Sequence, residues 1–306
     1  MIIPFNIPTL LGDETDHILE SVKSLEHCGN GKYCNKCRQF LIEQYGFFEV
    51  FLTTSCTTAM EMGVLLCDIK PGDEVILPSY TFSSTANSFV LRGGIPVFCE
   101  IDSKTMNIDP ERIEQLVTKK TKSVMPIDYA GIPCEIEKIN EIAIKYNLRV
   151  LQDCAQSFHS FHKSGKACGS AVGLAAFSFH ETKNINCGEG GALIVNDPSL
   201  IERAQILQEK GTDRSLVLKG VKSKYGWVDV GSSFLLSDIL ASMLYQQITQ
   251  ADKIIKMRSR VTDAYKRLFD PYVESGKLSI PKPPDGVKIN NHAFYVIFDS
   301  ENNQQL

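Results

Sequence analysis

A lysine stands at position 183, past Ser178 and ahead of Gly188-Glu189-Gly190-Gly191, inside the stretch AAFSFHETKNINCGEGGALIVND at 175–197. An amine there can act as a nucleophile toward a carbonyl and as a base. The glycines let the backbone turn tightly and approach a ligand closely. Three further stretches carry residues suited to binding. In RVLQDCAQSF, Asp153 ends an apolar run, a costly place for a carboxylate unless it meets a cation or several donors, and Gln156 follows with an amide. In LTTSCTTAMEMGVLL, Ser55, Cys56 and Thr57 open an apolar helical pattern, where free backbone N–H groups and the helix dipole favour an anion. In LPSYTFSSTANSF, Tyr80 and Phe82 follow an apolar run and offer flat surfaces for stacking. Taken singly, each has an ordinary alternative: a solvated lysine, a structural aspartate held by backbone N–H groups, a plain serine cap, a core aromatic.

The elements that must hold these residues are legible as an alternation. Strand-like runs occur at 49–52, 73–78, 95–101, 122–127, 148–153, 175–179 and 191–196, separated largely by helical patterns, which predicts a mostly parallel seven-stranded sheet with helices on both faces. Helix starts are marked by Asp109-Pro110 and Asp197-Pro198, and EIEKINEIAIKYN has helical apolar spacing. Ligands of such sheets gather beyond the carboxyl ends of the strands. All four stretches lie there. Because the loop with Lys183 returns at once into another strand, its lysine stays near that edge.

Anion-binding amides, an aromatic plate, a carboxylate and a lysine at one sheet edge together suit pyridoxal 5'-phosphate. Its phosphate needs the helix start, its ring a flat neighbour, its pyridine nitrogen an anion and its aldehyde an amine.

Composition excludes other classes. The net charge of -4 over 306 residues gives no basic field for a nucleic-acid backbone or an anionic membrane, and no apolar run is long enough to span a bilayer. The ten cysteines are scattered and no leader pattern opens the chain, so we expect free thiols in a cytoplasmic protein. His27, Cys28, Cys34 and Cys37 resemble half a zinc site, but no second pair of matching spacing follows and no metal is expected. No Gly-x-Gly-x-x-Gly follows the early strands, which argues against a dinucleotide binder.

The ordered set TSCTTAM, PSYTFSSTAN, QDCAQS and SFHETKN…GEGG resembles the DegT/DnrJ/EryC1/StrS family of sugar aminotransferases, from IPFNIPTLLGDE near the N-terminus onward. The resemblance implies an α/β, aspartate-aminotransferase-like large domain over 1–240 and the start of a small domain over 241–306. It implies that Lys183 holds the cofactor covalently, Asp153 pairs with the pyridine nitrogen, Gln156 bonds the ring hydroxyl and Phe82 stacks on the ring. Ser178, with the region of Ser55, Cys56 and Thr57, would hold the phosphate. Ser233, where many members have asparagine, would reach a neighbouring subunit's cofactor in a homodimer. The stretches DVGSSFLLSDI and KGTDRS narrow the expectation to transfer of the amino group of L-glutamate onto dTDP-4-dehydro-6-deoxyglucose, giving dTDP-4-amino-4,6-dideoxygalactose. Arg214, Lys219, Lys222 and Lys224 are candidate cations for the sugar diphosphate. Family members continue past YVIFDS, so we expect a small domain that is incompletely packed and an impaired activity. A sugar dehydratase of the same fold would carry histidine in place of Lys183, and a non-catalytic relative would have lost the lysine or the carboxylate.

Overall fold

A computed structural model of the chain describes Pro4 and residues 6–298. The seven expected strands form one sheet: β1 (Glu49–Thr53), β2 (Glu74–Pro78), β3 (Ile95–Cys99), β4 (Thr121–Val124), β5 (Arg149–Asp153), β6 (Leu174–Ser178) and β7 (Gly191–Val195). Their order is β1-β7-β6-β5-β4-β2-β3. β7 runs antiparallel to both neighbours, and the remaining pairings are parallel.

Side-chain alternation along the strands builds two cores, one on each face. Val50, Leu52, Ile76, Val150, Ala175 and Ile194 point into one, whereas Phe51, Val75, Leu77, Leu151, Ala176 and Leu193 point into the other. The first core is roofed by α2 (Lys32–Tyr45), α5 (Ile136–Tyr146) and α8 (Asp238–Thr249), through buried residues such as Tyr33, Cys37 and Leu41, Ile136 and Ile139, and Ala241 and Leu244. The second is covered by α3 (Cys56–Leu66), α4 (Ser83–Val90) and α6 (Ile201–Gln208). The N-terminal helix α1 (Glu14–Ser24) packs on α8, and the short α7 (Arg214–Leu218) follows α6. Cys34 and Cys37 lie buried on α2, their thiols directed at the carbonyls of Leu236 and Ala241.

Two helical expectations need amending. Asp109 caps as expected, accepting from Glu111 N–H at 3.0 Å, but its segment forms only two 3-10 turns, Pro110–Arg112 and Glu114–Leu116. The helical pattern expected over 237–269 is two helices, because Gln250 (φ −110°, ψ 17°) leaves helical geometry between α8 and α9 (Ala251–Glu274). Beyond α9, the expected strand over 292–298 is ladder-paired only at β9 (Ile297–Phe298), against β8 (Leu278–Ser279). Residues 299–306, on which the expectation of an unfinished small domain bears, lie outside the described residues, as do Ile3 and Phe5 of the N-terminal motif. Among the described residues no helix is long and apolar enough to cross a membrane.

Candidate active site

At the carboxyl edge of the sheet lies a cavity of about 430 Å³. Ser55, Cys56, Thr57, Phe82, Asp153, Gln156, Ser178 and Lys183 all stand in its wall. They come from six places in the chain: the start of α3, the start of α4, the end of β5 and the loop after it, and the end of β6 and the loop after it.

Asp153 ends β5, where Pro126 O accepts its backbone N–H at 2.8 Å. Its carboxylate is buried and accepts from the Thr85 hydroxyl at 2.8 Å and from Ala155 N–H at 3.0 Å. Burial pushes this carboxyl above the usual aspartate range, opposed by those two hydrogen bonds and by Lys183. Among the described residues it has no salt-bridge partner, so a cationic N–H entering the cavity would relieve it. Lys183 follows β6 through a turn in which its N–H donates to His180 O at 2.8 Å. Its half-buried amine makes no hydrogen bond or ion pair among the described residues. Burial holds its ammonium below the usual lysine value, against the opposing pull of Cys56 and Asp153. Burial thus disfavours the charged form of both groups, and they face one space.

The anion end is built at α3. Ser55 is the N-cap: its hydroxyl accepts from Thr58 N–H at 3.1 Å, and the Thr58 hydroxyl accepts from Ser55 N–H at 3.0 Å. That leaves the first-turn N–H groups of Cys56 and Thr57, which precede the first intrahelical bond, directed out of the helix beside the cavity. Thr57 donates to Ser84 Oγ at 2.9 Å. Gly191 makes this closeness of sheet and helix possible, since a Cβ on it would lie 2.3 Å from the Ser55 carbonyl carbon. Cys56, buried with its thiol pushed well up by burial, acts here as a small apolar group. Gln156 Oε1 accepts from Ala130 N–H at 2.6 Å, which directs its NH2 group as a donor. Phe82, 71% exposed, lies at the mouth of the cavity.

Other expected residues lie elsewhere. Ser233 is exposed outside the cavity, bridged through its backbone to Glu209. Arg214 pairs with Glu209 at 3.5 Å, Lys222 pairs with Asp213, and Lys219 donates to Gln205 at 3.1 Å; none of these, nor Lys224, lines the cavity. Several wall residues went unnoticed in the sequence. Thr85 and Ser84 were inside a quoted hydroxyl-rich stretch, and a hydroxyl one helical turn past Phe82 was the available signal. Tyr129, whose hydroxyl donates to Tyr80 at 3.0 Å, had none.

The residues present fit pyridoxal phosphate: a buried carboxylate short of a cation, an unpaired amine, and outward N–H groups at a helix start share one cavity of suitable chemistry. Comparison with known proteins agrees. A relative named GDP-perosamine synthase, from Escherichia coli O157:H7, is 32% identical over 278 residues, covering 90% of this chain and 74% of its own. A protein of the same name from Caulobacter vibrioides is 31% identical, covering 85% of this chain and 68% of its own. The X-ray structure of the aminotransferase from Psychrobacter cryohalolentis superposes with a TM-score of 0.90 at 26% identity, covering 98% of this chain and 78% of that one. Aminotransferase TlmJ from Streptoalloteichus hindustanus gives 0.88 at 26% identity, over 98% and 79%. The DegT/DnrJ/EryC1/StrS aminotransferase family matches residues 10–306, and the chain belongs to that family of pyridoxal-phosphate-dependent sugar aminotransferases.

Proposed function

We propose that the enzyme moves the amino group of L-glutamate to the keto carbon of a nucleotide-linked 4-keto-6-deoxysugar, with dTDP-4-dehydro-6-deoxyglucose the substrate expected from the sequence. The observation carrying the residue assignment is that Asp153, at the end of β5, and Lys183, on the loop after the neighbouring parallel strand β6, stand in the wall of one cavity with the first turn of α3.

Pyridoxal phosphate, when bound, supplies an aldehyde that takes up the donor's amine and a ring that accepts the electron pair released at the donor's Cα. In this reading Lys183 Nζ is the covalent anchor. Once displaced by the donor it would be the base that takes the proton from Cα and returns it, across the amine nitrogen, to the carbon of the cofactor's aldehyde. Burial lowers its proton affinity, which favours the free amine relative to an exposed lysine. Asp153 holds a proton on the ring nitrogen, and the Gln156 amide donates to the ring hydroxyl. Phe82 covers the ring, while Ser178, Ser55, Cys56 and Thr57 hold the phosphate.

Two further parts concern the assembly. Exposed Tyr225, Trp227, Val228 and Val230, with Ser233 nearby in sequence, support a homodimer in which this segment meets a second copy. Lys183 and His180 are the groups able to carry positive charge among the cavity-wall residues, so the sugar diphosphate draws cations from a partner's basic loop at 214–224. Ten free thiols, nine of them buried, support a reducing, cytosolic setting.

Incubation with L-glutamate and either dTDP-4-dehydro-6-deoxyglucose or its GDP-linked counterpart, followed by identification of the amino sugar, tests the substrate. The two relatives named for a GDP-sugar make that counterpart the competing reading. In Lys183→Ala the visible absorbance of the bound cofactor and turnover are both expected to be lost. Normal turnover in that variant ends the assignment.

A further inference from the structure

After the proline-rich segment 281–286, the chain returns to the large domain and threads between two loops of the candidate site. Lys288 exchanges backbone hydrogen bonds with Phe161 at 2.8 and 3.0 Å. Asn290 is then 1% exposed, and every polar atom it carries is engaged. Its Nδ2 donates to Gln156 O and to Phe158 O, both at 2.8 Å, spending both hydrogens on the loop after β5. Its backbone O accepts from Asn184 Nδ2 at 2.8 Å, reaching the residue next to Lys183 in the loop after β6. Its N–H donates to Ser160 Oγ at 3.0 Å, and its Oδ1 accepts from His292 N–H at 3.0 Å. His292 closes the ring of contacts, its Nδ1 lying 3.2 Å from Asn184 Oδ1. Gly131, at φ +83°, leaves the space for this: a Cβ there would sit 1.9 Å from Asn290 Oδ1.

We propose that Asn290 is a positioning residue that fixes Lys183 relative to Asp153 and Gln156, by tying the loops after β5 and β6 to one residue of the C-terminal strap, the first through its side chain and the second through its backbone carbonyl. The inference rests on the assignment of Lys183 and Asp153 made above. Strand pairing sets the spacing of the two loops only as far as Ser178 and Asp153, where β6 and β5 end. Lys183 lies five residues beyond its strand and Gln156 three beyond its own. Asparagine is the side chain that serves, because two neighbouring carbonyls need two hydrogens from a single nitrogen. An aspartate of the same shape would set oxygen against both. The groups facing Lys183 are Asp153 from β5, Cys56 from α3 and His292 from the strap.

The full-length chain, with and without pyridoxal phosphate, allows a test. Without cofactor, the rate at which a small N-hydroxysuccinimide ester acylates Lys183 is followed against pH by mass spectrometry of its peptide. In Asn290→Asp the loop loosens and the amine becomes better hydrated, so the midpoint rises toward the ordinary lysine value. With cofactor and substrates, kcat falls on the order of 10- to 100-fold. Asn184→Ala, which removes the ties of the Lys183 loop to Asn290 O and to His292, shifts the midpoint the same way and carries the measurement if Asn290→Asp does not fold. A lowered melting temperature with a wild-type Lys183 profile in the folded variants overturns the proposal, since that is what a purely structural residue gives. Failure of the wild-type chain to acquire the cofactor's visible absorbance would instead refute the assignment of Lys183, leaving the acylation result to stand by itself.

Discussion

Thr85 Oγ1 donates a 2.8 Å hydrogen bond to Asp153 Oδ2, linking the first turn of α4 to the end of β5 across 68 residues of sequence. With Ala155 N–H on Oδ1, this is how the fold keeps a carboxylate ionisable where burial opposes it. Thr85→Val preserves shape and removes the donor. The buried carboxyl then moves further above its usual range, and the acid limb of the kcat–pH profile shifts to higher pH. Urea unfolding near neutral pH is expected to show a loss of about 1.5–3 kcal/mol, the range for a hydrogen bond to a charged group. An unchanged acid limb would mean that Asp153 does not govern it.

Asp153→Asn keeps the side chain's size and removes its charge. The half-reaction with L-glutamate, followed by the change in cofactor absorbance, is expected to slow by about 100- to 1,000-fold, as for loss of one preorganised electrostatic partner. The turn at α3 proposed to hold the phosphate is untouched, so cofactor retention on gel filtration is expected to persist.

Gly191→Ala probes the contact of β7 with the start of α3. Its Cβ would meet backbone atoms of Ser55 and Cys56 at 2.3–2.5 Å, and backbone cannot swing aside as a side-chain tip can. We expect a loss of about 1–3 kcal/mol from overpacking, together with weaker binding of pyridoxal phosphate, read by titration of its absorbance. Loss of stability with unaltered affinity would show that the α3 turn is not part of the phosphate site.

His292 predicts an acid-sensitive strap. Burial first, then the positive charges of Lys183 and Arg258, push its imidazole down to about 3. A histidine whose folded-state value lies below its unfolded value of about 6.5 contributes stability that is complete above 6.5 and is lost as pH falls toward 3. The measurement is urea unfolding of wild type and His292→Gln at pH 7, 5 and 4. Wild type is expected to lose more stability over that interval than the variant; parallel curves would contradict the assignment.

The sheet was legible because each strand is a short apolar run between turn signals, and all seven runs formed strands within a few residues of the expected bounds. The eight residues that gather at the cavity were legible for a related reason: each stands at the end of a strand, within five residues beyond it, or at a helix start, and a parallel sheet brings those positions to one edge. Two kinds of information were missing. The 109–117 segment has the cap and proline of a helix but only two 3-10 turns, because a start signal says nothing of length. Asn290 was invisible because its importance lies in carbonyls more than 130 residues away, a relationship that no local pattern encodes.

Ser178 and Gly191 are direct partners in the ladder of β6 and β7, so the segment carrying Lys183 is pinned at both ends to one hairpin. Such a staple fixes both ends of the segment, while between them the lysine's place rests on the further ties of its loop, that of Asn184 to Asn290 among them. In the proposed mechanism the handover of the amine from anchor to proton carrier would then need rotation about the lysine's own side-chain bonds and no hinge at the ends of this segment.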